Sequence, residues 1–113
     1  MADKTLIVTT DSIGSANYEL GRVLMTSFFM NLAESDEVPS SIHFLNEGAR
    51  LTCKDSNVID FIARLEQRGV SITTCRTCLE YLDIEQDLAI GSISTMFATV
   101  ASLMGEAQAI ILA

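Results

Sequence analysis

Basic residues are scarce in this sequence: seven Lys and Arg stand against fifteen Asp and Glu in 113 residues, a net charge of −8. That balance excludes non-specific nucleic-acid binding and attraction to anionic membranes, since both need a basic face. Long hydrophobic runs are missing as well. The longest stretch without charge, Leu88 to Gly105, is broken by Ser, Thr and Gly, so it reads as a strand plus a helix and not as a membrane span. "TLIVTT", near the start, is too short and too polar at its end for a signal-peptide core. These absences lead to the expectation of a cytoplasmic protein with no membrane and no nucleic-acid partner. No linker, repeat or low-complexity segment appears, so residues 1–113 are expected to form a single domain. Hydrophobic residues make up 49% of the chain, and a domain of this length buries about two-thirds of its unfolded surface, so a packed core is expected.

What is present alternates. Leu6-Ile7-Val8 reads as a buried strand, and "TTDSIGSAN" as the loop that follows. From Asn17, a candidate cap along with Ser15, the residues Leu20, Leu24, Phe28 and Leu32 form an apolar stripe on a helix that ends before Pro39. Ile42 to Leu45 is a second strand. Ser56 is a plausible cap for a helix with Val58, Phe61, Ile62 and Leu65 inside and Gly69 just past its end. "VSITT" is a third strand, and a short helix over 77–82 has Thr77 and Glu80 at capping-box spacing. "LAIG" reads as the fourth strand. Ile93, Met96, Phe97, Val100 and Leu103 mark a last helix, and "AQAIILA" a fifth strand. The strands are expected near 4–10, 41–46, 70–74, 88–91 and 107–112. Such alternation predicts an α/β fold with an open, mostly parallel sheet and helices on both faces. Ligands of such sheets bind beyond the carboxyl ends of the strands, here the loops Asp11 to Ala16, Asn46 to Arg50, Cys75 to Cys78 and Gly91 to Thr95.

One of those loops carries a Cys-x-x-Cys, Cys75 and Cys78, in "TTCRTCLE". In a reducing compartment a close thiol pair is reactive or metal-binding more often than structural. As mere core filler it would be badly placed, because Thr73, Thr74, Arg76 and Thr77 make the turn polar. Zinc needs more ligands than the pair supplies, and only Cys53 and His43 remain, His43 within a predicted strand. No metal and no cofactor is therefore expected. A thioredoxin-type oxidoreductase sets a cis-proline opposite its pair, but Pro39 is the sole proline and lies in a turn upstream. For flavin, the first loop is rich in Ser, Thr and Gly, yet Asp11 would repel phosphate. With no Trp and only Tyr18 and Tyr81, stacking partners are also few. Nucleophilic sulfur chemistry is the favoured reading, with two cysteines serving only as small apolar residues as the plain alternative. Helix-start N–H groups and Arg76 would stabilise a thiolate on Cys75, which ends its strand, and Cys78 would resolve a persulfide or mixed disulfide there.

The stretches "TTDSIGSANYELGRVLMTSFF", "IHFLNEGARLT", "LEQRGVSITTCRTCLEYLDI" and "LAIGSISTM" together resemble the DsrE-like family of small sulfur-relay proteins. They are most similar to the carboxyl-terminal domain of YedF-like proteins, which are described as sulfurtransferase-like and linked with selenium metabolism. The resemblance implies a three-layer α/β/α sandwich with a five-stranded parallel sheet that assembles into homo- or hetero-oligomers. It also implies a persulfide-bearing cysteine six residues after the Gly of the "GV" turn, which is Cys75 counted from Gly69. Cys78 matches the second cysteine of the YedF-like version. YedF-like proteins begin with a small sulfur-carrier domain holding a Cys-Pro motif, whereas this sequence opens at its first strand. A sulfur donor or acceptor is thus expected to be another protein.

The expected function is a persulfide carrier, with Cys75 as the sulfur-accepting nucleophile and Cys78 as resolving or assisting thiol. Asp11, Ser12, Asn46, Gly91 and Ser92, with Arg76 and Thr77 of the turn itself, are candidate pocket residues, although each taken singly is ordinary turn chemistry. The alternative is a non-catalytic oligomeric DsrE-like subunit that only binds partner proteins, as some relay subunits lacking the cysteine do. In "SISTMFATVASLMG" apolar and small residues occupy several sides of the helix, which predicts a homo-oligomer.

Overall fold

Strand and helix alternate along the whole of residues 2–113, which the structure, a computed structural model, describes. In chain order the elements are β1 (Ala2–Val8), α1 (Tyr18–Glu34), β2 (Pro39–Phe44), a 3₁₀ segment (Asn46–Thr52), α2 (Ile59–Gln67) and β3 (Ser71–Cys75). Then follow α3 (Arg76–Tyr81), a 3₁₀ turn (Glu85–Asp87), β4 (Ser92–Ser94), α4 (Met96–Leu103) and β5 (Gln108–Leu112). The five strands form one sheet in the order β4-β3-β2-β1-β5, with every pairing parallel. The chain steps outward from β1 to β4, then crosses back to set β5 on the far side of β1. Right-handed crossovers place helices of opposite stepping direction on opposite faces, so α4 lies across the sheet from α1 and α2.

The two faces differ in chemistry. Toward α1 and α2, Leu6, Val8, Ile42, Phe44 and Ile72 meet Met25, Phe29, Ala33, Ile62 and Leu65 in the main core. Phe29 and Phe44 are fully buried and stacked, with ring centroids 6.0 Å apart. The alternate residues Thr5, Ser41, His43 and Thr73 face α4 and are mostly hydroxyl-bearing. His43 Nδ1 and Thr73 Oγ1 are 2.6 Å apart, and His43 Nε2 lies 3.1 Å from Ser102 Oγ on α4. Ser102 Oγ is also 3.3 Å from Thr5 Oγ1, which is hydrogen-bonded to Ser41.

Several boundaries differ from those expected, each for a local reason. The stripe of α1 that goes fully inside is Gly21, Met25, Phe29 and Ala33, one residue on from the expected stripe, whose Phe28 and Leu32 are half-buried at its flank. Gly21 fixes this rotation: a Cβ there would overlap Ser12 Oγ, so the helix packs its backbone on the β1–α1 loop. Asn17 does cap α1, its side chain accepting the Leu20 N–H at 2.9 Å. Pro39 starts β2 instead of lying in the turn. Val58, not Ser56, is the cap residue of α2, and Ser56 Oγ accepts the Val58 N–H at 3.3 Å. The capping box expected at Thr77 and Glu80 is absent, because α3 already begins at Arg76 with Cys75 as its cap residue.

"LAIG" is not a strand. Leu88 makes an isolated antiparallel bridge to Cys53, and the Ala89 and Ile90 N–H groups both donate to the Thr52 carbonyl. Gly91 turns the chain with φ +77°, and β4 begins after it. In α4 the expected inner stripe is largely outside. Thr99 is the helix's buried residue, while Met96, Phe97 and Val100 are exposed, Phe97 at 85%.

Candidate functional site

Beyond the carboxyl ends of the strands lies a cavity of about 430 Å³. Thr9 follows β1, Leu45 and Asn46 follow β2, Thr77 and Cys78 belong to the turn after β3, and Met96 opens α4; all of them line it. Glu47, Tyr81 and Leu82 complete the wall. Convergence of these strand ends follows from parallel pairing, which brings every βα turn to one edge.

Cys78 is the thiol that reaches this cavity. It is half-buried on the first turn of α3, and the Asn46 backbone N–H donates to its Sγ at 3.1 Å. Asn46 adopts the left-handed conformation, φ +51°, as the chain leaves β2 for the 3₁₀ segment. Asparagine tolerates that conformation better than most residues. Burial pushes the Cys78 thiol above its ordinary pKa, the Asn46 N–H pulls it back down, and a hydrogen bond with the Cys75 side chain raises it again. Cys78 is therefore held mainly in its neutral form at neutral pH.

Cys75 is 4% exposed and does not line the cavity. The cysteine expected to accept sulfur is thus the inner one: Cys75 closes β3 and is buried, while Cys78 takes the outer position. Arg76 is exposed and outside the cavity wall, so the local cation expected beside the sulfur is not part of the site.

The other candidates divide. Asn46 and Thr77 join Cys78. Asp11 and Ser12 do not: Ser12 is buried, its Oγ donating to the Tyr18 carbonyl at 2.7 Å, and Asp11 accepts the Tyr18 hydroxyl at 2.8 Å. Asp11 lines a separate polar cleft with Arg22, Arg50 and Lys54. Gly91 and Ser92 lie before and at the start of β4, whose carboxyl end is Ser94, so they too are outside the cavity. Gly91 has a steric duty instead, since a Cβ there would be 2.6 Å from the Ile72 carbonyl oxygen.

Sequence reasoning missed Thr9, Leu45, Tyr81, Leu82 and Met96, and took in Glu47 only as part of the Asn46 to Arg50 loop. Tyr81 and Leu82 stand three and four residues after Cys78, the spacing that places side chains on one helix face, and this signal was available. Met96 was hidden by the misplaced fourth strand.

Cys53 is buried against Ala49 and Leu79, and burial pushes its thiol pKa up. Among the described residues no group of three or more His, Cys, Asp or Glu is placed to hold a metal ion, and no helix is long and apolar enough to cross a membrane.

No family model and no curated protein sequence matches the chain. Solved structures do. MTH1491 from Methanobacterium thermoautotrophicum, a protein of unknown function, superposes with a TM-score of 0.69 at 18% identity, covering 95% of this chain and 96% of that one. The YchN protein from E. coli gives 0.72 at 13% identity, covering 99% and 100%. BT1422 from Bacteroides thetaiotaomicron, a conserved protein of unknown function, gives 0.63 at 18% identity, covering 97% and 95%. Likeness at this identity establishes a shared fold: the five-stranded parallel α/β sheet with its helices spans essentially the full length of all of them.

Proposed function

We propose that the chain is a sulfur-transfer protein of the DsrE-like kind, carrying sulfane sulfur as a persulfide on Cys78, with Cys75 as the thiol behind it. The observation that carries this reading is the Cys78 sulfur at the cavity wall, accepting the Asn46 N–H, with Cys75 three residues before it at the end of β3. In loading, the Cys78 thiolate attacks the terminal sulfur of a donor R–S–SH. The donor S–S bond breaks, RS⁻ departs, and the new bond joins Cys78 Sγ to the transferred sulfur. An acceptor thiolate takes that sulfur by the same step in reverse. Alternatively, the Cys75 thiolate attacks Cys78 Sγ, forming a Cys75–Cys78 disulfide and expelling hydrosulfide; a reducing thiol then restores the pair. A raised pKa lowers the thiolate fraction but makes each thiolate more nucleophilic, and the Asn46 N–H offers the anion a donor. The test is incubation with a persulfide donor followed by intact-protein mass spectrometry. Gain of one sulfur atom, removed by dithiothreitol, supports the reading, and an unchanged mass rejects it.

The proposal includes self-association through α4. Phe97, Met104 and Ile111 are 85%, 78% and 66% exposed, beside Met96 and Val100. No charge occurs between Leu88 and Gly105, so two copies of a chain with net charge −8 meet least repulsion there. A cytoplasmic setting and a carrier-protein donor or acceptor belong to the same proposal. A second reading, a non-catalytic subunit that only binds partners, is favoured by the outward apolar stripe of α4 and by the burial of Cys75.

A further inference from the structure

Resting on the sulfur-transfer reading, we infer that the Cys78 cavity selects its sulfur donor by charge: it takes sulfane sulfur from a hydropersulfide whose apolar body is uncharged or cationic and rejects donors with an anionic body. Leu45, Tyr81, Leu82 and Met96 give the wall an apolar character, and no Lys or Arg lines it. Its one charged residue is a carboxylate, Glu47, whose Oε1 accepts from Arg50 Nε at 2.9 Å. Arg50 offsets that carboxylate from outside, lining the separate cleft that also holds Asp11 and Lys54 and not the cavity itself.

Thiosulfate shows what this excludes. The Cys78 thiolate would attack the outer sulfur of a dianion and expel sulfite, also a dianion. Desolvating such charge in an apolar cavity without a paired cation is costly. The net charge of −8 opposes the approach as well. A hydropersulfide on an uncharged body, reacting through its protonated form, bears neither burden. It leaves as RS⁻, which takes up the thiol proton released when Cys78 ionised, so no charge needs to stay in the cavity. An apolar R group would also displace water from Leu82 and Met96.

The experiment measures initial rates of sulfur gain at Cys78, by peptide mass mapping, for four donors. These are benzyl hydropersulfide, the persulfide of cysteamine, glutathione persulfide and thiosulfate. Each rate is divided by that of the same donor with N-acetylcysteine, which removes intrinsic reactivity. The normalised rates for the benzyl and cysteamine donors are expected to exceed that for glutathione persulfide on the order of tenfold at low salt, and thiosulfate should load nothing. Met96→Lys places a cation on the exposed rim; it should raise glutathione persulfide loading several-fold, a gain that 0.5 M salt removes. Equal normalised rates, faster anionic donors, or a Met96→Lys variant with unchanged preference overturns the selection while leaving sulfur transfer standing. Absence of loading from all four donors overturns both.

Discussion

The backbone N–H of Asn46 donates to the sulfur of Cys78 at 3.1 Å, joining the end of β2 to the first turn of α3 across thirty-two residues of sequence. This contact fixes the Cys78 sulfur at the cavity wall. It also holds the outer thiol of the pair in a fixed direction, with Cys75 on the inner side.

The order of thiol reactivity follows from exposure. Iodoacetamide should label Cys78 first, since Cys75 and Cys53 are each 4% exposed. Because burial raises the Cys78 pKa, its labelling rate should keep climbing past the ordinary thiol value, with the neighbouring Cys75 adding to the shift. Peptide mapping after brief alkylation between pH 7 and 10 reads both. Cys75 labelled ahead of Cys78 would count against the site geometry.

His43 should make stability depend on pH. Its pKa is lowered from 6.5 by burial, and its hydrogen-bonding partners on β3 and α4 are the hydroxyls of Thr73 and Ser102, with no carboxylate among them. The unfolded chain then binds the proton more tightly than the folded one, so this contribution is present above about pH 6.5 and is lost as pH falls below it. Urea unfolding from pH 7.5 to 5 should show a wild-type slope that His43→Gln lacks. Identical slopes would remove His43 from the account.

Gly91 acts on the fold and not on the chemistry. Gly91→Ala puts a Cβ against the Ile72 carbonyl at a backbone φ of +77°, and should cost about 1–3 kcal/mol in chemical denaturation. A substitution without effect on stability would mean that the β4 turn is looser than described.

Association through α4 predicts that Phe97→Glu lowers the oligomer to a monomer in sedimentation velocity while leaving the fold intact by circular dichroism, since Phe97 is 85% exposed in the single chain. An unchanged sedimentation coefficient would move the interface elsewhere.

Much of this architecture could be read from the sequence. The inner face of α2 and its closing Gly69, at φ +95°, follow rules of local periodicity and capping, as does Asn17 at the start of α1. What could not be read depended on partners distant in sequence. The rotation of α1 is set where Gly21 meets Ser12 and Ile13. The inversion of α4 arises because the sheet beneath it presents Thr5, His43 and Thr73, so Thr99 and Ser102 turn inward and the apolar stripe outward. Among the site residues, Cys78, Asn46 and Thr77 were legible from strand-end logic. Which cysteine faces the cavity was not, because the depth of Cys75 depends on how α3 sits over the end of β3.

The central claim is that sulfur is held on Cys78, and its most direct test is the position of the added sulfur atom in variants lacking one cysteine of the pair, exposed to a persulfide donor. The account predicts that Cys75→Ser gains one sulfur atom at Cys78 and releases hydrosulfide more slowly, because the thiol that would form the disulfide is gone, while Cys78→Ser gains none. Loading of Cys78→Ser at Cys75, together with failure of Cys75→Ser to load, would contradict it and return the carrier role to the buried thiol.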